Sequence, residues 1–245
     1  MGWPIWLFGL LAISLASAIA LLRLQYRRAT LGQPQLLPVT LLTNARFFGR
    51  VGLVMLMFTG IAGPIVVLAM VLQFGLEMSP DRAGLALAAH PLSIRVASIL
   101  ASRMGSRHLE RRVTLGIVSL LTGMIGLHLT VVPGTSLAMI WIPLVMVGAG
   151  VGTATVAMYQ LVLTEVPQAD AGAGSGALQA FQQIGIALGI ALVGQVFVGA
   201  LGDAPDPISY VEALKVALWV PMILFTGLSI VSLKLQKREH GDDAA

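Results

Sequence analysis

The sequence contains no cysteine, so neither a disulfide framework nor a thiolate metal site is possible. It is also poor in charge: 11% of its 245 residues are charged, whereas a typical soluble domain is near a quarter charged. What it has instead is apolar surface, with 57% hydrophobic residues and a mean hydropathy of +0.89. A surface of this kind is stable in lipid and not in water, so we expect an integral membrane protein.

Seven apolar stretches are long enough to cross the roughly 30 Å of bilayer hydrocarbon, which requires about 20 residues in a helix. None of them alternates polar and apolar residues, so the spans are predicted to be helices. The fold class expected is all-α, a lone helix followed by a six-helix half-bundle. The predicted spans are 3–22, 52–74, 83–102, 113–132, 137–161, 177–199 and 211–233.

The basic residues cluster at alternate ends of these spans, as the positive-inside rule requires. If the N-terminus is outside, the inner segments carry twelve of the 15 basic residues, and the outer loops carry only Arg82 and Lys215. The prediction is a multi-pass cell-membrane protein with its N-terminus outside and its C-terminus in the cytoplasm. One inner loop, 163–171, is an exception because it holds Glu165 and Asp170 and no basic residue. The twelve inner residues are Arg23, Arg27, Arg28, Arg46, Arg50, Arg103, Arg107, Arg111, Arg112, Lys234, Lys237 and Arg238.

No carboxylate falls in the middle of a predicted span. All of the acidic residues lie in loops or at helix ends, although proton relays in membranes usually employ a buried Asp, Glu or His. A complete proton antiporter is therefore not expected from this chain alone. Nor is an enzyme expected, since nucleophile, metalloprotease and nucleotide motifs are missing.

The candidate cavity residues are the polar side chains inside the spans. Arg95 is a charge within the third span, where it serves either in substrate contact or as a snorkelling side chain. His90 and His128 lack a carboxylate partner, so no metal or cofactor is expected. The amides share one face of the sixth span or end the fifth, and they either line a cavity or join helices. They are Gln160, Gln179, Gln182 and Gln183.

Two glycine runs are predicted to pack helices closely. Gly148, Gly150 and Gly152 cannot form a phosphate loop because no Lys-Ser/Thr pair follows them. Gly185 and Gly189 form a small-xxx-small pair, which allows two helices to approach each other.

Several segments together resemble the fourteen-helix drug:proton antiporter branch of the major facilitator superfamily. They are 37–48 (LPVTLLTNARFF), 72–85 (LQFGLEMSPDRAGL), the basic loop 102–112 with Arg103, Arg107, Arg111 and Arg112, the glycines of 148–152, Val166-Pro167, and 174–189 with its QIGIALG run. The resemblance extends from about residue 5 to 235. It implies that the first span corresponds to the eighth helix of that family and that the other spans correspond to its last six helices.

This resemblance implies a multidrug-efflux transporter that lacks its first seven helices, where the family carries its proton-linked carboxylate. Two positions depart from the family pattern: Gln182 stands where an Arg is common, and Arg95 stands where the family is apolar or small. The expected partners are lipid, a lipophilic small molecule, and a missing N-terminal half or a second copy. No nucleic acid is expected. The chain is predicted to divide into a lone helix (1–22), a basic linker with an interfacial amphipathic segment (23–50), a transporter half (51–235) and a tail (236–245).

Other interpretations remain open at this point. The first span resembles a signal peptide in length, but no basic residue precedes it. Seven helices also match a receptor or retinal protein, although Lys215 lies at a span's end and no buried acid could serve as its counter-ion. A membrane assembly subunit or an inactive remnant without transport activity is the main alternative.

Overall fold

The computed structural model describes residues 5–31, 44–203 and 205–242, which form helices joined by short loops. A five-residue π-helix, Val71–Gly75, continues directly from α2, and a short 3-10 helix, Gln168–Asp170, precedes α6. The part of the chain described contains no strand. The α-helices are α1 (Ile5–Thr30), α2 (Ala45–Met70), α3 (Pro80–Arg103), α4 (Leu109–Thr130), α5 (Leu137–Leu163), α6 (Ala171–Leu201) and α7 (Pro207–Asp242).

Seven of the described helices are long and apolar enough to cross a membrane, which confirms the predicted fold class. Several begin or end well beyond the predicted spans. α1 continues to Thr30, so Arg23, Arg27 and Arg28 lie on the helix and not in a loop. α7 runs to Asp242, beyond the boundary predicted for the tail.

The predicted interfacial segment at 41–48 differs in the structure. Residues 41–43 lie outside the described part, and residues 45–48 are the first turn of α2. The helix begins there because the Asn44 side chain accepts hydrogen bonds from the backbone N–H groups of Arg46 and Phe47, at 3.0 and 3.2 Å. The amphipathic pattern therefore reflects a helix end in which Phe47 is buried and Arg46 is exposed.

The six helices α2–α7 form one bundle, in which α5 packs closely against both α3 and α4, and α2 packs closely against α6. On one side, α2 packs along α6; on the other, α3 packs along α5. α4 packs on α5, and α7 joins α4 to the α2–α6 pair at the back of the bundle. In front, α5 contacts α2 and α6 only weakly, which leaves a seam between the two pairs.

α1 stands apart from this bundle. Its described side chains are almost all exposed, including Trp6, Phe8 and Ile13, and Gln25 is a buried exception among them. The apolar part of α1, with so few contacts to the described bundle, requires lipid or another protein surface to cover it.

Candidate functional site

Glycines on α6 determine how closely it approaches α2. A Cβ added at Gly185 would collide with the carbonyl oxygen of Met55, and one at Gly189 would collide with that of Thr59. α2 contributes Gly63, where an added Cβ would overlap the Gly189 carbonyl. The α2–α6 pair is therefore a backbone-to-backbone contact, as small residues allow in membranes.

The glycines of α5 contact two different neighbours. Gly148 and Gly152 lie against the backbone of α3, at the carbonyls of His90 and Ile94, whereas Gly150 lies against Gly116 of α4. A side chain at any of these three positions would separate α5 from the helix it faces. All five glycines singled out in the sequence thus lie at helix contacts.

Arg50 of α2 binds groups at the C-terminal end of α5, across the seam. The guanidinium of Arg50 forms a 2.8 Å ion pair with Glu165 and donates hydrogen bonds to the carbonyl of Leu161 (2.5 Å) and the hydroxyl of Thr164 (3.1 Å). The last carbonyls of a helix carry partial negative charge, so the same cation satisfies a helix end and a carboxylate. Both charged side chains are partly exposed, at 27% and 19%.

A second contact crosses the seam close by, where the Tyr159 hydroxyl of α5 donates a hydrogen bond to the side-chain carbonyl of Gln182 in α6. Next to it, Phe181 of α6 meets Phe48 of α2 edge-on, with ring centroids 5.9 Å apart. We call these groups, together with the Arg50–Glu165 pair, the seam clasp. Phe48 and Arg50 lie in the first turns of α2, Tyr159 and Glu165 lie on either side of the end of α5, and Phe181 and Gln182 lie ten and eleven residues into α6.

The predicted amides divide into two sets. Gln182 belongs to the seam clasp, and the side-chain oxygen of Gln160 is buried with no hydrogen-bond partner in the described part. Gln179 and Gln183, by contrast, are exposed on α6. They lie eight and twelve residues into the helix, or about 12 and 18 Å along its axis.

Arg95 is exposed on α3 and makes no ion pair within the described residues. It lies eight residues before the end of the helix at Arg103, about 12 Å along the axis. The structure does not bring it together with the amides of α6, because α3 and α6 belong to different helix pairs.

The two predicted histidines are enclosed but differ in their surroundings. The Nε2 atom of His90, on α3, is buried and has no hydrogen-bond partner in the described part of the chain. The His128 ring meets Trp219 edge-on at 5.8 Å, and its Nδ1 atom is likewise unpartnered there. The described residues contain no group of three potential metal ligands.

The four arginines at the junction of α3 and α4 differ in their exposure. Arg103, Arg107 and Arg111 are exposed, but Arg112 is only 3% exposed. It donates hydrogen bonds of 2.7 Å to the carbonyls of Ala101 and Gly105, at the C-terminal end of α3. Arg112 therefore caps a helix, because a buried guanidinium must find acceptors and helix C-termini provide them.

Comparison with known proteins identifies the family. The family model described as Major Facilitator Superfamily matches residues 1–190. The chain belongs to the Major Facilitator Superfamily. It is also 30% identical over 215 residues to a protein of Streptomyces coelicolor named a probable actinorhodin transporter. That match covers 82% of this chain and 36% of the relative, so this facilitator chain spans about a third of the relative's length.

Membership in this family confirms a multi-pass membrane protein of transporter type and points away from enzymes. About two-thirds of the relative has no counterpart in this match, so the similarity does not establish the activity of a whole transporter for this chain.

Sequence reasoning missed the central members of the seam clasp in this facilitator. The charge pattern places Arg50 only among the basic residues of the inner segments, and Tyr159 is not among the predicted cavity residues. One signal was available: the inner loop that ends α5 is acidic where the charge rule demands basic residues. Glu165 departs from the rule because Arg50 neutralises it from another helix. The π-helix at Val71–Gly75 had no visible signal in the sequence.

Proposed function

We propose that the chain forms the C-terminal part of a multidrug-efflux transporter related to the fourteen-helix drug:proton antiporters. In this proposal α1 is the linker helix and α2–α7 are one of two six-helix halves. The cargo is a lipophilic small molecule, which suits the apolar walls of the bundle; the Streptomyces relative is named a probable actinorhodin transporter.

The observation that supports this best is the exposure of polar side chains deep inside spanning helices. Gln179 and Gln183 on α6, and Arg95 on α3, project from the bundle without a partner inside it. A charged side chain at the centre of a lipid-facing helix costs at least about 2.5 kcal/mol. We infer that these faces meet water or a second half, not hydrocarbon.

The seam clasp has a role in the same proposal. Alternating access is largely a rocking of one six-helix half against the other around a fixed site. The clasp holds α5 against α2 and α6 within this half, at the end that we take to be cytoplasmic. The Arg50–Glu165 pair and the Tyr159–Gln182 hydrogen bond then keep the half together as it moves as a unit.

Water access to these faces can be tested directly because the chain has no cysteine of its own. We expect a cysteine at Gln183 to react with a charged, membrane-impermeant thiol reagent in proteoliposomes. A cysteine at Ile223, whose side chain is 68% exposed on α7, is the matched control and should stay unreactive because lipid covers it. Equal reactivity at the two positions would contradict a water-lined face on α6.

On this proposal the chain cannot carry out proton-coupled export alone, because its described spans contain no carboxylate near their centres. Proteoliposomes containing the isolated chain should show no dye export when a proton gradient is imposed. Export coupled to the gradient would contradict incompleteness. If Gln183→Cys is unreactive and transport is also absent, the assembly-subunit alternative is favoured instead.

The proposed orientation places the N-terminus outside and the C-terminus in the cytoplasm, with the clustered arginines facing in. Tags at the two termini should be labelled from opposite faces of intact cells. Labelling of both tags from one face would contradict a seven-span topology.

A further inference from the structure

A groove of about 420 Å³ follows the surface of the bundle between α3 and α5. Its walls are apolar, with Leu92, Val96 and Val145 among the exposed lining residues. The single hydroxyl in the lining, on Ser93, already donates a hydrogen bond of 2.9 Å to the carbonyl of His90 in its own helix. A ligand of the groove must therefore be apolar along its length.

The wall contributed by α3 is one continuous apolar stripe with Arg82 at its N-terminal end. Arg82 is followed at helical spacing by Leu85, Ala89, Leu92 and Val96, so all five lie along the same side of the helix. From Leu85 to Val96 the stripe is about 16 Å long at 1.5 Å per residue. That length is close to the hydrocarbon thickness of one leaflet, about half of 30 Å.

If α3 crosses the bilayer, its first turn, which contains Arg82, lies at the headgroup level of one leaflet. Arg82 is exposed and forms no ion pair within the described residues; its neighbour Asp81 also points to solvent. Trp141 marks the same level, because its indole N–H donates a hydrogen bond of 3.3 Å to the Leu85 carbonyl across the groove. Tryptophan is enriched at this interface in membrane proteins.

We propose that this groove is a binding site for an anionic phospholipid, with an acyl chain lying between α3 and α5 and the phosphate held by Arg82. The apolar walls, the leaflet-length stripe and the unpaired cation at its head together select an amphiphile with negative charge at one end. An uncharged lipophilic molecule would fill the walls but leave Arg82 without a partner. The site is separate from the seam and does not depend on transport.

Trp141 provides a reporter inside the groove. In a full-length variant with Trp3, Trp6 and Trp219 changed to Phe, lipids brominated on the acyl chain should quench Trp141 fluorescence. We expect brominated phosphatidylglycerol to compete for the groove about fivefold better than brominated phosphatidylcholine, from one basic contact at the membrane surface. Arg82→Gln should abolish this preference.

Two controls separate the site from general contact with lipid. Lys215→Gln removes the other basic residue of the same membrane surface, one already paired with Glu212 at 2.8 Å, and should leave the preference unchanged. A variant that retains only Trp219, on α7, should show no change in lipid preference on Arg82→Gln.

A third variant, Ala89→Phe, fills the groove and should reduce quenching of Trp141 by both lipids. The proposal is overturned if Trp141 shows no preference for phosphatidylglycerol, or if the preference survives Arg82→Gln. It is also overturned if neither lipid quenches Trp141, because another protein surface then covers the groove.

Discussion

α2 and α3 are both apolar spanning helices, yet the bundle uses them differently. Within their membrane windows, 56% of residues are buried in α2 but only 17% in α3. α2 is held at its start by the Asn44 cap and the Arg50 ion pair, and along its length by the glycines of α6. α3 contacts little besides α5, and Arg112 holds its end.

The difference shows that apolar content alone does not decide which membrane helices are buried in protein. In water an apolar helix must be buried in protein, whereas in lipid the solvent satisfies the same surface. Close packing in a bilayer therefore follows from small residues and polar links and not from apolar content. α2 makes such contacts with both α5 and α6, whereas α3 makes its small-residue contacts with α5 and keeps an exposed face for lipid or another protein surface.

The largest effect is expected from breaking the packing of α2. Gly189→Leu should lower the free energy of unfolding by about 3 kcal/mol, because its side chain would collide with the Thr59 carbonyl and separate α6 from α2. Reversible denaturation in detergent measures this change. Gly194→Leu, in the same helix but facing open space, is the matched control and should have little effect. Equal losses of stability in the two variants would indicate that α6 tolerates a large side chain at neither position, whatever that position contacts.

A smaller loss is expected when the end of α3 is released. Arg112→Leu removes two charge-assisted hydrogen bonds to the carbonyls of Ala101 and Gly105, which should cost about 2 kcal/mol. The same denaturation experiment applies. Arg111→Leu should change stability by less than about 0.5 kcal/mol, since Arg111 is exposed. If the two variants behave alike, Arg112 is no more than a surface charge.

The N-cap residues of α2 and α3 allow a direct comparison between the two helices. Asn44→Ala should destabilise the protein by about 1 kcal/mol because two backbone N–H groups lose their acceptor. Ser79→Ala, at the corresponding position of α3, should have almost no effect because Ser79 makes no capping hydrogen bond. A measurable loss with Ser79→Ala would remove this contrast between the helices.

The smallest effect concerns pH at the start of α7. Hydrogen bonds from the side chain and backbone of Ser209, the latter at 2.7 Å, lower the pKa of Asp206. Because the pKa is lower in the folded state, the stabilisation is complete above the unfolded pKa of about 3.9 and is lost as pH falls through the folded pKa.

Protection of the amides in the first turn of α7, measured relative to the intrinsic exchange rate at each pH, should therefore fall as the pH drops below about 4. Asp206→Asn should remove this dependence, whereas Asp203→Asn should retain it. The first turn of α3 has no side-chain cap and should show no comparable change. Identical pH profiles for wild type and Asp206→Asn would contradict the assignment.

Much of the architecture could be predicted from the sequence because its signals are local. Runs of about twenty apolar residues predicted every spanning helix, and the family segments indicated a transporter half. α2 begins seven residues before the predicted span, since an amphipathic run at a membrane surface and a capped first turn have similar patterns. For the candidate site, Gln182 was singled out, but its partner Tyr159 was not, because the two belong to different helices.

What the sequence determined by itself is the solvent of this protein and the number of its helices, since both depend on how many apolar residues follow one another. Tertiary structure alone decided which polar side chains have partners. Arg50, Arg112 and Arg95 are the same residue type near or within spans, but one forms an ion pair, one caps a helix and one is exposed. The physical reason is that an arginine's environment depends on the acceptors that other helices bring within hydrogen-bond distance, and no local pattern encodes those distances.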